Sequence, residues 1–194
     1  MKKPDEIELL GLSELKDPRF IRPTLVRYRQ NGEEKSWEVV KAHDSVAILI
    51  YHRQKEAFVL VRQFRPAVYL GGASGMTVEL CAGIVDKPLD LVQIAAEEIF
   101  EECGYEVSAA QIERITAFYT SVGFAGSKQT LFYAEVDEGM RRGEGGGVDG
   151  EVIEIVELPV TRARAFLFDE SVAKTPGLMF AFMWWMDRFD RDSG

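Results

Sequence analysis

The chain has 194 residues, 46% hydrophobic and 28% charged, an ordinary globular composition with enough apolar mass for one core and an appendage. Its formal net charge of -9 supplies no positive field to draw it onto a nucleic-acid backbone or an anionic membrane, so neither is expected as a partner. A phosphorylated small molecule stays admissible if cations or a few placed arginines neutralise it locally.

The opening segment MKKPDEIELLGLSELKDPRF has no apolar stretch of signal-peptide length, and no run approaches a membrane span, so a cytoplasmic location is expected. The runs TLVRYRQ and KSWEVV flank Asn31-Gly32, a pair that tolerates positive φ, and predict a hairpin over 24–41. Trp37 is expected to pack on its own sheet, with base stacking the alternative. SVAILIY (45–51) and AFVLVRQF (57–64) predict a second hairpin entering a buried sheet. GGASG (71–75) reads as a loop and MTVELCAG as one short strand ended by Gly83. From Asp90 to Cys103 the period turns helical: Leu91, Ile94, Ala95 and Ile99 share a face, Asp90 and Gln93 can cap the start, and Gly104 can close the end. ERITAFYTS and QTLFYAEV predict strands around the loop VGFAGSK, and RRGEGGGVDG (141–150) predicts a mobile glycine-rich loop. EVIEIVELP is a further strand, and VTRARAFLFD and TPGLMFAFMWWMDRF are two helices, the last rich enough in aromatics to pack on the sheet. Cys81 and Cys103 read as reduced core residues, and His43 and His52 are too few and too scattered for a histidine metal site or a serine triad.

The segment AAEEIFEECGY carries the chemistry. Glu98 stands three residues from Glu101 and four from Glu102, and Glu97 four from Glu101, so the carboxylates are neighbours on a helix. Each like-charge pair costs about 0.2 to 0.5 kcal/mol unless a cation binds. A solvated acidic face is the bland reading; hard oxygen donors for Mg2+ or Mn2+ are the functional one. The frame around the cluster decides between them. From Gly83 to Tyr105 the sequence resembles the Nudix hydrolase box, with Gly83, Glu98, Ile99, Glu101, Glu102, Gly104 and Tyr105 in place. It departs at two positions: Leu89 replaces the first glutamate, and Glu97 replaces an arginine that orients a metal-ligating glutamate in the family.

The blocks RYRQNGEEKSWEVVKAHDSV, VRQFRPAVY, TVELCAGIVD, SVGFAGSKQTLFY and GEVIEIVELP extend the likeness over nearly the whole chain, to the UDP-sugar pyrophosphatase branch of that superfamily. The resemblance implies an α/β/α sandwich with a mixed sheet over 45–194, preceded by an antiparallel β region over 1–44 that helps to form a homodimer. It also implies Mg2+, with Mn2+ a possible substitute, on Glu98, Glu101, Glu102 and the Ala82 carbonyl, with Glu101 counted among the catalytic residues as well. A carboxylate near the end of the glycine-rich loop, Asp149 or Glu151, is implied as the general base.

Arg65 follows a strand and precedes proline, where its guanidinium can grip a phosphate; Arg62 either shares that face or is plain surface. Glu79 lies inside so apolar a run that it must be paired or bind a ligand. Ser121, Gly123 and Ser127, in a glycine- and hydroxyl-bearing loop, are candidate phosphate or sugar contacts. The expected reaction is Mg2+-dependent hydrolysis of the diphosphate bridge of a nucleoside diphosphate sugar, UDP-glucose to UMP and glucose 1-phosphate, with an ADP-ribose or ADP-sugar pyrophosphatase as the alternative. A Nudix module that binds a nucleotide sugar without turnover is the rival from another class, kept open by Leu89 and Glu97.

Overall fold

A computed structural model describes residues 6–18, 20–148 and 150–189 of the chain. Asn31 and Gly32 hold φ values of 54° and 85°, the conformation that lets β1 (Arg22–Gln30) turn tightly into β2 (Glu33–Lys41) with Gln30 opposite Glu33. These two strands form a sheet of their own, largely exposed. It touches the rest through the Val40 N–H, which donates to the Phe124 carbonyl at 2.7 Å, and the Trp37 indole N–H, which donates to the Gly123 carbonyl at 2.7 Å. Trp37 therefore departs from the packing expected of it. It is 56% exposed, because a two-stranded sheet with no covering layer offers no interior for a ring.

The main sheet is mixed and eight-stranded. β3 (Ser45–His52) lies parallel to β8 (Ser127–Val136), which pairs antiparallel with β7 (Ile112–Thr120). β3 meets β4 (Ala57–Phe64) only beside their connecting turn, at Ile50–Val59, Tyr51–Phe58 and His52–Ala57, and then the two strands part. β5 (Met76–Glu79) follows β4 and β6 (Cys81–Ile84) follows β3, so segment 76–84 fills the fork between them. The single strand expected over MTVELCAG is thus two strands on different partners, broken at the buried Leu80. β9 (Glu154–Pro159) covers the other edge of β4, and β10 (Ala173–Lys174), which no sequence pattern announced, pairs with β5.

Helices cover both faces, which is why the apolar runs of β3 and β4 do not alternate with polar residues. On one face Val46, Ile48, Ile50, Val59 and Val61 pack with Ile94, Ala95 and Ile99 of α2 (Leu91–Cys103). On the other, Ala47, Leu49, Phe58 and Leu60 meet α3 (Val160–Phe168) and α4 (Pro176–Phe189), with Phe58 stacked on Phe182 at 4.4 Å. A further short helix, α1 (Pro66–Leu70), follows Arg65 directly; Pro66 presets its first turn. With α2 counted among the four, this is the expected α/β/α sandwich with an N-terminal antiparallel pair. Cys81 and Cys103 are free and buried. His52, also buried, faces the Glu138 carboxylate at 3.3 Å at the end of β3 away from β6. Among the described residues no helix is long and apolar enough to cross a membrane.

Candidate active site

α2 begins where its sequence says it should. Asp90 is its N-cap, the Asp90 N–H donates to the Gln93 side-chain oxygen at 3.1 Å, and Gly104 takes the left-handed conformation that closes the far end. The apolar face of α2 packs on β3 and β4, so the next face, bearing Glu98 and Glu102, is turned toward β6. Gly83 makes that approach possible: a Cβ at this position would overlap the Glu98 carboxylate. One residue earlier, the Ala82 N–H donates to Glu102 Oε2 at 3.0 Å. The glycine and the glutamates of the box are therefore two sides of one contact.

Neither carboxylate has enough compensation to remain an ordinary acid. Burial, then the Glu101 charge, raises Glu98 to about 7, with Glu151 and Glu97 adding to the rise and Lys87 opposing it. Burial likewise raises Glu102 to about 8, against the stabilising Ala82 N–H and Cys81 thiol; Glu98 and Glu151 push it further. Lys87, the nearby cation, is engaged with Glu97 at 2.7 Å on the surface. Among the described residues no three carboxylates, imidazoles or thiolates close into a metal cage. An open, oxygen-only donor set suits a magnesium-type ion, which keeps waters and phosphate oxygens in its own shell, better than zinc.

Across segment 76–84, Arg65 and Glu79 form a bidentate pair, Nε to Oε1 at 2.8 Å and Nη2 to Oε2 at 2.7 Å, and the Thr77 hydroxyl donates to Glu79 at 2.5 Å. Burial pushes Glu79 up, but the Arg65 hydrogen bonds and charge, with Thr77, bring it below the ordinary value. Glu79 is the paired carboxylate that its apolar setting required. Arg65 spends two donors on it and keeps Nη1 and the second Nη2 hydrogen for other partners. Arg62 contacts Glu154 at 2.7 Å across the β4–β9 ladder.

The glycine-rich loop is less free than its composition suggested. Gly146 N–H donates to the Glu102 carbonyl at 2.9 Å, Gly147 N–H to the Glu101 carbonyl at 3.1 Å, and the Arg142 and Gly143 N–H groups to the Gly104 carbonyl. The loop thus satisfies the last carbonyls of α2. Glu151, exposed and just before β9 rather than in it, accepts from the Val148 N–H at 3.3 Å and lies close enough to act on the charge of Glu98, Glu102 and Arg65. Asp149, the other candidate base, lies outside the described residues. Ser121 has φ 48°, and its carbonyl takes the N–H groups of Phe124, Ala125 and Gly126; Gly123 is held by Trp37; Ser127 starts β8 and accepts from the Thr120 hydroxyl through its carbonyl.

Beside Ala82 and Glu79 a cavity of about 360 Å³ opens toward α4, walled by Phe118, Thr120, Gln129 and the Thr175–Gly177 turn. Of its polar groups only Ser121 and Glu79 were singled out in the sequence. Gln129 is a polar residue at the edge of the apolar run LFYAEV, a signal too weak to isolate without the sheet register.

No protein-family model matches the chain. It is similar to uridine diphosphate glucose pyrophosphatase of Bos taurus, with 39% identity over 93% of this chain and 94% of that protein. The Mus musculus protein of that name shares 39% identity over 87% of this chain and 89% of its own length. GDP-mannose pyrophosphatase of Cronobacter sakazakii shares 42% over 70% of this chain and 71% of its own.

Proposed function

Because the chain belongs to the Nudix hydrolases that act on nucleotide sugars, we propose that it cleaves the diphosphate bridge of UDP-glucose, yielding UMP and glucose 1-phosphate. The observation that carries this reading is the half-buried Glu98 and the buried Glu102 against Ala82 and Gly83, two neighbouring carboxylates raised to about 7 and 8. Glu98, Glu101, Glu102 and the Ala82 carbonyl would hold Mg2+, or Mn2+ in its place, and the ion would neutralise diphosphate charge and make water more acidic. Arg65, fixed by Glu79, donates its remaining N–H groups to a bridge phosphate. Glu151 takes the proton of the attacking water, whose oxygen bonds to phosphorus as the bridge oxygen leaves. Asp149 is the alternative holder of that proton. Arg62, Ser121, Gly123 and Ser127 complete the substrate contacts in this reading.

Purified protein with Mg2+ should release UMP and glucose 1-phosphate from UDP-glucose faster than it cleaves GDP-mannose, ADP-glucose or ADP-ribose, and EDTA should stop it. Faster GDP-mannose turnover would favour the reading suggested by the names of the bacterial relatives. Nucleotide-sugar binding without turnover would favour a sensor.

The same proposal includes the organisation of the chain: residues 1–44 as a dimer-forming β region, 45–194 as the hydrolase domain, and cytoplasmic residence, in keeping with the two free cysteines. Leu25, Val40 and Phe124 line an open groove on the hairpin, and Val26 and Tyr28 are also exposed, apolar surface that a second copy would cover. Light scattering on a Leu25→Asp variant should report a monomer where the unmodified chain reports a dimer. An unmodified chain that is already monomeric removes this part of the proposal.

A further inference from the structure

We infer that the cavity between the β7–β8 tip and the first turn of α4 is the sugar subsite, with Gln129 reading sugar hydroxyls; this rests on the hydrolase reading above. Its place comes first. Ala82 stands between the cavity and the carboxylates, lining the one and donating its N–H to Glu102. A ligand whose phosphate bridge lies at Glu98 and Glu102 therefore has one neighbouring group within reach of the cavity.

The walls decide which group. No lysine or arginine is among the residues lining the cavity, so it suits an uncharged moiety rather than a phosphate. A nucleobase is best held by aromatic faces, but Phe118 and Tyr119 are consecutive on a strand and point to opposite sides of the sheet. Phe118 stands opposite Gln129 on β8, and Gln129 stands beside Ser45 on β3, so these three share the face that carries α4. Gln129 Nε2 donates to Ser45 Oγ at 3.1 Å, which fixes the amide. Its second N–H and its carbonyl oxygen are left to act as a donor and an acceptor, the complement of a sugar hydroxyl. Thr120, Ser121 and Thr175 line the same space. Gly177 lets the α4 backbone close it: a Cβ there would come within 2.9 Å of Gln129 Oε1 and 3.2 Å of the Phe118 ring. An aromatic ring, hydroxyl-bearing residues and an amide, with the Arg65-paired Glu79 carboxylate as the one charged group among the lining residues, match a pyranose, whose hydroxyls a carboxylate can also accept from.

The test uses the full chain with Mg2+ and two substrates sharing nucleotide and bridge: UDP-glucose, and UDP esterified with methanol in place of the sugar. Gln129→Leu should raise KM for UDP-glucose roughly tenfold, with kcat within about twofold, and leave the methyl ester unchanged. Gly177→Ala, which crowds the amide without removing it, should show the same split. Equal losses on both substrates, or a change that follows the base when ADP-glucose replaces UDP-glucose, would overturn the subsite and leave the hydrolase reading intact. If the unmodified chain cleaves no nucleotide sugar, the hydrolase reading fails by itself. Calorimetric titration with glucose 1-phosphate then decides the subsite: roughly tenfold weaker binding to Gln129→Leu supports it, and unaltered or undetectable binding to both chains overturns it.

Discussion

Glu79 and Glu102 are both buried, 8% and 4% exposed; the first belongs to the short segment that fills the fork between β3 and β4, and the second lies against it. They nonetheless titrate in opposite directions. Glu79 has a bidentate guanidinium and a hydroxyl, and falls below the ordinary carboxylate value. Glu102 has only a backbone N–H and a thiol, and rises to about 8. Burial penalises both, so the difference lies in the partner each is given. The fold completes one carboxylate internally and gives the other fewer partners, which on the proposed hydrolase reading separates a strut from a ligand site.

Four substitutions break or sharpen that contrast. Glu102→Gln should cut turnover roughly a thousandfold, the scale of losing several kcal/mol of ion-based charge stabilisation, while keeping the fold. In metal-free protein Glu98 and Glu102 have raised folded pKa values, so their contribution is fully present below the unfolded carboxylate range and is lost as pH rises through about 7 and 8. Thermal melts with EDTA should therefore fall across that window, and the Gln variant should flatten the fall; a parallel fall in both chains would refute the assignment. Gly83→Ala should displace the Glu98 carboxylate and cost roughly a hundredfold in kcat/KM, since misplacing a catalytic group by about 1 Å has that effect.

Arg65→Ala should strip Glu79 of its partner and make it resemble Glu102. We expect a loss of about 2 kcal/mol in urea unfolding at neutral pH, less than for a fully buried pair because the Arg65 side chain is 44% exposed. The Glu79 contribution is present above the unfolded carboxylate range and is lost as pH falls through its lowered folded value, so the variant should also lose acid sensitivity. The smallest effect belongs to Lys87→Ala. Its surface pair with Glu97 should be worth at most about 0.5 kcal/mol, and turnover should change little.

How much of this was legible in the sequence follows from the kind of signal each part leaves. α2 could be read because a capping pair, an apolar face and a closing glycine agree within fifteen residues or so, all local features. The first hairpin could be read from its turn pair. The break at Leu80 could not, since both halves of MTVELCAG are apolar and only the divergence of β3 from β4, distant in sequence, assigns them to different partners. Arg65 and Glu79 were each singled out, but their pairing, fourteen residues apart, depends on the β4–β5 register. Gln129 escaped notice for the same reason: its meaning comes from Phe118 and Ser45 beside it. Trp37 misled because a hairpin normally has something to lie on.

The hydrogen bonds from Gly146 and Gly147 to the carbonyls of Glu102 and Glu101 have a consequence for how this sequence can diverge. The residues that present carboxylates with their side chains hold the loop leading to Glu151 with their main chain. Inserting or deleting a residue between Gly143 and Gly147 would shift the grip at Gly104 against those at Glu101 and Glu102 and drag Glu151 out of step with Glu98 and Glu102. Length variation should therefore be poorly tolerated from Gly143 to Glu151, a boundary that a scan of single-residue insertions would trace.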